Sequence, residues 1–315
     1  MTVRTLDLAD DLDRVYDLMR LCHSEESPNE PMDWTRSEME AFLRNPPASD
    51  LREYWVSEEG STVVGYAQLA GGRDSPALRA AVLVHPESRR QGHGTGLLES
   101  LVEAARRRGA REVIGVHATE AGSCFASHTG AVAGQREVRS LLRLPAEGSA
   151  PPVEGYELES WVGPAPERLL DSFARAREAI NDAPFPGEDR AVWNAERVRD
   201  FEAALERRRR DARVTVALDA RDDVVAFTEL RISRTGSTVA STEDTAVVAE
   251  HRRRGLGRWV KLESLQRLHA ERPDVEVVTT TNAEQNEAML RLNRSLGFEP
   301  VSVQTTCVLG LASEE

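Results

Sequence analysis

An ungapped internal repeat sets the terms for this chain. Residues 82–101 read VLVHPESRRQGHGTGLLESL, and residues 245–265 read TAVVAEHRRRGLGRWVKLESL. They align at an offset of 163, with Val84 on Val247, Arg89 on Arg252, Gly92 on Gly255 and Gly94 on Gly257. The surroundings repeat as well. RTLDLADDLDRVYDLMRL corresponds to ELESWVGPAPERLLDSFARA, each an extended piece followed by a helix-period stretch. EYWVSEEGSTVVGYAQLA corresponds to VTVALDARDDVVAFTELR, each two β-type runs around a polar turn, which reads as a hairpin. After each glycine block the pattern predicts an amphipathic helix (95–108, 258–271) and then a strand (112–117, 274–280). The repeat therefore predicts an α/β fold with a mixed sheet, built as two tandem domains over 1–145 and 156–315. A Pro- and Gly-rich linker around AEGSAPPVEG joins them.

Each block is a strand, a basic glycine-rich turn and a helix. Glycine adopts positive φ freely and carries no Cβ to obstruct a ligand. The first turn of the following helix offers unpaired N–H groups and the positive end of the dipole. Together these make a cradle for a phosphate or diphosphate. A Walker loop is excluded, because neither block has Lys followed by Ser or Thr. A dinucleotide fingerprint is excluded because the spacing is R-x-x-G-x-G and falls late in each half, after a hairpin.

The pattern V-x-x-x-x-R-x-x-G-x-G resembles the acyl-CoA loop of the GNAT N-acetyltransferase superfamily. NAEQNEAMLRLNRSLGF in the second half resembles that family's later helix, an Asn followed by L-G-F. The resemblance covers essentially the whole chain, taken twice, in the manner of tandem actinobacterial members. It implies acetyl-CoA as cofactor and transfer of an acetyl group to a small amine. It implies that the backbones of Arg89, Arg90, Gln91, Gly92, His93, Gly94 and Thr95 hold a CoA diphosphate. The corresponding segment is Arg252, Arg253, Arg254, Gly255, Leu256, Gly257 and Arg258. The preceding strands, Val82, Leu83 and Val84 and then Thr245, Ala246 and Val247, would pair with the pantetheine arm, whose amides can extend a splayed sheet. The helix asparagine of the family falls on Asn286.

An amine with pKa near 10.4 must lose a proton before attack, and a carboxylate of raised basicity can take it. Glu243 and Asp244 precede Thr245, whereas the first half has Ala80 and Ala81 in those places. Strand alternation sends Glu243 and Asp244 to opposite faces. Glu243, which shares a face with Ser241 at the family's common base position, is the first candidate for base; Asp244 and then Glu229 follow. The pair also reads as a solvated or salt-bridged strand edge. The family's tyrosine acid is replaced by Asn293 here and by Ala126 in the first half, and an amide can donate a hydrogen bond but cannot give up a proton. A missing acid costs about 10²–10⁴-fold. The first half also has Thr119 in place of the asparagine. Catalysis is therefore expected in the C-terminal domain, with the N-terminal domain non-catalytic.

Other features carry less. His85, His93 and His251 beside the loops read as half-exposed turn residues, and no Cys/His spacing suggests a metal. Arg207–Arg210 read as a solvated helix C-terminus. In Asn181–Trp193 the acids Asp182, Glu188 and Asp189 would suit a cationic amine, walled by Phe185 and Trp193, or the stretch is a solvated loop. The net charge of −13 disfavours nucleic acid. No apolar run is long enough for a membrane span, and the start lacks the order of a signal peptide. Three scattered cysteines fit a reduced cytoplasm, and a monomer or homodimer is expected. The single lysine, Lys261, among arginines reads as genome composition. Two alternatives stay open: a non-catalytic acyl-CoA-binding or sensing protein, and an enzyme similar to mycothiol synthase, another tandem member of the superfamily, which acetylates a cysteinyl amine.

Overall fold

A computed structural model of the chain describes residues 1–28, 30–32, 34–46, 50–182, 192–234 and 236–311. In chain order the first half forms β1 (Thr2–Thr5), α1 (Leu12–Glu26), α2 (Arg36–Arg44), β2 (Asp50–Glu59), β3 (Thr62–Gly72), β4 (Ala77–Val84), α3 (His93–Arg107), β5 (Glu112–His117), α4 (Glu120–His128) and β6 (Val132–Arg143). The second half forms β7 (Glu157–Val162), α5 (Leu170–Arg177), α6 (Ala195–Arg207), β8 (Arg210–Leu218), β9 (Val224–Ser233), β10 (Val239–Val247), α7 (Leu256–Glu271), β11 (Val277–Ala283), α8 (Glu287–Ser295) and β12 (Glu299–Gly310). The predicted hairpins are β2/β3 and β8/β9. No described helix is long and apolar enough to cross a membrane.

The chain divides into two compact units, and the division is not linear. Unit 1 comprises 1–32, 42–136 and 304–315; unit 2 comprises 33–41 and 137–303. In unit 1 the sheet runs β1-β2-β3-β4-β5 and is completed by the end of β12, where Thr305–Gly310 lie antiparallel to β5. In unit 2 it runs β7-β8-β9-β10-β11 and is completed by the end of β6, where Glu137–Arg143 lie antiparallel to β11. The closing strand of each repeat thus serves the sheet of the other. Sequence cannot distinguish this from the linear arrangement, because the two strands fill equivalent places.

Each unit contains one parallel pair that is cut short. In unit 1, β4 and β5 pair over Ala77–Arg79 with Glu112–Ile114. In unit 2, β10 and β11 pair over Val239–Thr242 with Val277–Thr280. Beyond those points the strands diverge, leaving Val82–Val84 and Thr245–Val247 bonded on one edge only, to β3 and β9 respectively.

α3 is amphipathic as its spacing predicts, burying Leu97, Leu101, Ala104 and Ala105 against Ala67, Leu69, Leu78 and Val113. α7 departs from the prediction. It buries the consecutive residues Trp259, Val260, Lys261 and Leu262. The reason lies in the segment read as a linker, which packs on the helix. Ala150, Val153 and Tyr156 lie against the cluster containing Trp259, and Ala146 joins the cluster containing Leu262 and Leu265. Gln266 Nε2 also donates to the Gly148 carbonyl at 3.1 Å. The opposite face of the unit 2 sheet carries α5 and α6, with Phe173, Val198 and Leu205 on Val214, Val216 and Phe227.

Candidate active site

The two glycine blocks fold alike. Arg90 and Arg253 both sit at φ 63°, in the left-handed region, and Gly92 (φ 91°) and Gly255 (φ 89°) begin α3 and α7. Conserving a strained arginine conformation across two copies needs a fixed frame, and the leading arginines supply it. Arg89 Nε donates to the Val84 carbonyl at 3.2 Å and its Nη2 to Glu26 at 2.5 Å. Arg252 repeats this with the Val247 carbonyl at 2.9 Å and Asp182 at 2.5 Å. These guanidinium groups therefore brace the turn from behind. The first-turn amides of α3 (His93, Gly94, Thr95) and of α7 (Leu256, Gly257, Arg258) have no helical acceptor, which is the general state of a helix start. A Cβ on Gly255 would meet no heavy atom within 4 Å, so the space before this cradle is open.

Side chains around the loops are partly occupied elsewhere. Arg254 Nη2 lies 3.5 Å from the Glu250 carbonyl, as Gln91 Nε2 lies 3.0 Å from that of Glu87. Arg258 Nη1 donates to the carbonyl and hydroxyl oxygens of Ser295, each at 2.8 Å. His93 is buried rather than half-exposed, because its Nδ1 lies 2.7 Å from Ser57 Oγ inside unit 1. His85 Nδ1 accepts from the Glu87 amide, and His251 Nδ1 lies 2.9 Å from Tyr156 Oη. No group of metal-ligating side chains occurs among the described residues.

Glu243 and Asp244 do not alternate. Between β10 and β9, Thr242 opposes Leu230 and Thr245 opposes Thr228, so three steps on one strand match two on the other. The extra residue is a β-bulge, and Glu243 and Asp244 together face Glu229. A bulge re-aims side chains, which overturns the expectation of opposite faces. Both carboxylates join one ion network. Arg177, on α5, donates to Glu229 at 2.5 Å and to Asp244 at 2.9 Å. Arg231 donates to Glu229 at 2.7 Å and to Glu243 at 2.9 Å, and Ser241 Oγ donates to Glu243 at 2.6 Å. The β3/β4 register of unit 1 has no such break, and Gln68, Ala80 and Ala81 stand where Glu229, Glu243 and Asp244 stand in unit 2.

The network separates its carboxylates electrostatically. Burial opposes ionisation of Glu229, but Arg231 and Arg177 outweigh it and hold its pKa down to about 2. Burial pushes Asp244 up to about 6, against the pull of Arg177 and with added repulsion from Glu229. Asp244 is thus the more basic of the two while still bordering solvent, its side chain 27% exposed. Aromatic rings wall the cluster: the Arg177 Cζ lies 4.0 Å from the Trp193 ring centre, and that of Arg231 lies 4.5 Å from the Phe201 ring. A cavity lined by Phe173, Arg177, Trp193, Phe201 and Glu229 adjoins it. Asp182 is held by Arg252. Phe185, Glu188 and Asp189 lie outside the described residues.

At the other side of the splay, Asn286 caps α8, its Oδ1 accepting from the Met289 amide at 3.2 Å, and Thr119 does the same for α4 with Gly122. Asn293 is buried. Its Oδ1 accepts from Lys261 Nζ at 2.6 Å and its Nδ2 donates to Asn282 Oδ1 at 2.7 Å. At the throat of the splay, Thr242 Oγ1 is buried without a hydrogen-bond partner among the described residues. A cradle of free amides, an unpaired strand edge and an orphaned hydroxyl between them fit a coenzyme A: diphosphate at the helix start, amide-bearing arm along β10, acyl end near Thr242. The basic run departs from expectation at one end: Arg207 and Arg209 are exposed where α6 finishes, but Arg210 packs in unit 2 over the Trp34 ring, near Glu38.

A mixed sheet with a bulged, splayed parallel pair above a diphosphate cradle is the fold of an acyltransferase. The model of the Acetyltransferase (GNAT) family matches residues 12–126 and 173–298, and the chain belongs to this family. It is 32% identical over 156 residues to a mycothiol acetyltransferase of Streptomyces coelicolor, an alignment covering 49% of this chain and 42% of that protein. The chain thus spans less than half the length of that relative. A mycothiol acetyltransferase of a Mycobacterium species is 29% identical over 280 residues, 83% of this chain and 84% of that protein. Among solved structures, a tandem GNAT protein from the clavulanic acid biosynthesis pathway superposes with a TM-score of 0.85 at 25% identity, covering 100% of this chain and 99% of that one. A GCN5-related N-acetyltransferase from Sphaerobacter thermophilus shares the fold, with a TM-score of 0.74 at 16% identity over 99% and 96% of the two chains.

Proposed function

We propose that unit 2 transfers an acetyl group from acetyl-CoA to a small, positively charged amine, and that unit 1 holds coenzyme A without turning it over. One observation carries this reading: cradle, splay and a bulge that gathers Glu243, Asp244 and Glu229 coincide in unit 2, while unit 1 has only the cradle and the splay. When bound, acetyl-CoA supplies the activated acyl group as a thioester. Asp244 removes the proton from the attacking amine, because burial gives it basicity nearer the working pH than an ordinary carboxylate. Glu243 orients the amine alongside it, and Glu229, held ionised by two guanidinium groups, fixes both arginines. Three carboxylates against two guanidinium groups leave the cluster net negative, which favours a cationic acceptor.

A second reading draws on the mycothiol acetyltransferases among the relatives, and places the acceptor in the class those proteins act on. The experiment is an amine panel, cysteinyl amines included, incubated with acetyl-CoA while free thiol is followed. Thiol release with small diamines supports the first acceptor class, and release confined to cysteinyl amines supports the second. Binding of coenzyme A with no thiol release across the panel sinks both in favour of a sensor. In an active protein, Asp244→Asn is expected to lower turnover about 10²–10⁴-fold while coenzyme A affinity holds.

A further inference from the structure

The chain has a single lysine, and it is buried at 1% exposure on α7. Lys261 Nζ donates to the Asn293 oxygen at 2.6 Å, which leaves the Asn293 nitrogen to find another acceptor. The Asn293 nitrogen must then face Asn282, and it donates to the Asn282 oxygen at 2.7 Å. That in turn leaves the Asn282 nitrogen as the free end of the chain. Asn282 lies on β11 two residues past Thr280, where pairing with β10 stops, so its backbone belongs to the splayed segment. It is half-buried, and with its oxygen taken by Asn293 its Nδ2 is the group left to donate. Donation in this row runs from Lys261 through Asn293 to Asn282.

We infer that Lys261, Asn293 and Asn282 form a polarised hydrogen-bond relay whose terminal Asn282 amide donates to the sulfur at the acyl end of bound coenzyme A, in place of a proton-giving acid. This rests on the acetyl-transfer reading of unit 2. In the balanced step the C–N bond forms as the C–S bond breaks, the amine proton passes to Asp244, and the departing sulfur takes its proton from solvent. The relay moves no proton. Asn282 is the contact residue, and Lys261 and Asn293 are positioning residues that strengthen its donor. Hydrogen bonds in a chain polarise one another in a low-dielectric interior, and Lys261 lies 4.8 Å from the Phe298 ring in such surroundings.

The test uses the full chain with Lys261→Met, Asn282→Ala and the double variant, and two readouts. The first is the thiol pKa of bound coenzyme A, followed by its thiolate absorbance. It is expected to rise by about one unit, a tenfold loss of thiolate at a fixed pH below that pKa, in either single variant. Coenzyme A affinity is expected to change less than threefold. The second is turnover, expected to fall 10–100-fold in either single variant with KM for the amine unchanged. The double variant should fall no further than the worse single one, because groups acting as a unit are not additive. A bound-thiol pKa that is the same in wild type and Lys261→Met overturns the relay, as does additive loss in the double variant. A wild-type chain that binds coenzyme A but releases no thiol overturns the acetyl-transfer reading and the relay's role with it, whereas an active wild type with an equally active Lys261→Met overturns the relay alone.

Discussion

Arg177 holds Asp244 at 2.9 Å through one nitrogen while its other nitrogen holds Glu229 at 2.5 Å. One guanidinium on α5 thus couples the carboxylate that is fixed as an anion to the one whose charge is marginal. Replacing it with methionine removes the attraction that keeps Asp244 from rising further, and leaves Glu229 to Arg231 alone. Breaking one partner of a buried ion network costs about 3 kcal/mol. Arg177→Met should lose about that much in urea unfolding, and an unchanged midpoint would show that the network contributes nothing to stability.

The same coupling predicts a pH profile. On the mechanism proposed above the carboxylate form of Asp244 is the active one, and burial raises its pKa to about 6. The rate under limiting substrate should therefore rise with pH through about 6 and level off above it. In Arg177→Met the rising limb should move to higher pH, because the positive neighbour is gone. In Glu243→Gln it should move slightly lower, because a like charge is removed. A limb that ignores both substitutions would assign the titration to another group.

These expectations depend on features that differ in how far the sequence discloses them. Both glycine turns and the helices that follow them were legible, since two spaced glycines between a strand pattern and a helix pattern mark a strand–turn–helix. The hairpins and β5 were legible from alternation. The bulge was not. Period-two reasoning assumes an unbroken ladder, and EDT contains no glycine that would announce an extra residue, so alternation sends Glu243 and Asp244 to opposite faces. Arg177 is hidden because arginine is the default basic residue of the chain, whereas Lys261 stands out by type but reads as composition. The exchange of β6 and β12 was invisible for a different reason. Equivalent strands in a repeat have equivalent patterns, and nothing local records which sheet each one joins. The covering of α7 by the Pro- and Gly-rich segment was missed because low apolar content reads as a tether, although Ala146, Ala150 and Val153 are enough to bury one side of a helix.

Lys261 carries a stability signature independent of any activity. Burial lowers its pKa from 10.5 to about 7. The folded chain therefore binds fewer protons than the unfolded chain between those values, and stability rises as pH rises through that window. At about 1.4 kcal/mol per unit, the whole effect is roughly 4–5 kcal/mol at most. Lys261→Met removes it, while leaving the Asn293 oxygen without its donor, a cost of about 1–3 kcal/mol. The difference in unfolding free energy between wild type and variant should therefore shift in favour of wild type from pH 7 to pH 9.5. A difference that stays flat with pH would mean that the ammonium is not desolvated.

Two cradles of matching geometry predict two coenzyme A molecules per chain. Calorimetry on the wild type should give that stoichiometry, whichever unit performs the chemistry. Gly92 and Gly255 are the positions to change, since each sits at positive φ where a Cβ is strained. Gly255→Ala introduces that strain with no steric clash in the protein, because nothing lies within 4 Å of the added atom, so its effect reports on the turn. Gly94→Ala is less informative, as its Cβ would come within 3.2 Å of the Phe125 ring. A left-handed residue other than glycine costs about 1–2 kcal/mol, enough to weaken binding roughly tenfold if the turn relaxes instead. Gly255→Ala should weaken one site and lower thiol release roughly tenfold at limiting acetyl-CoA, whereas Gly92→Ala should weaken the other site and leave release intact. Loss of release in Gly92→Ala with Gly255→Ala unaffected would move the chemistry to unit 1.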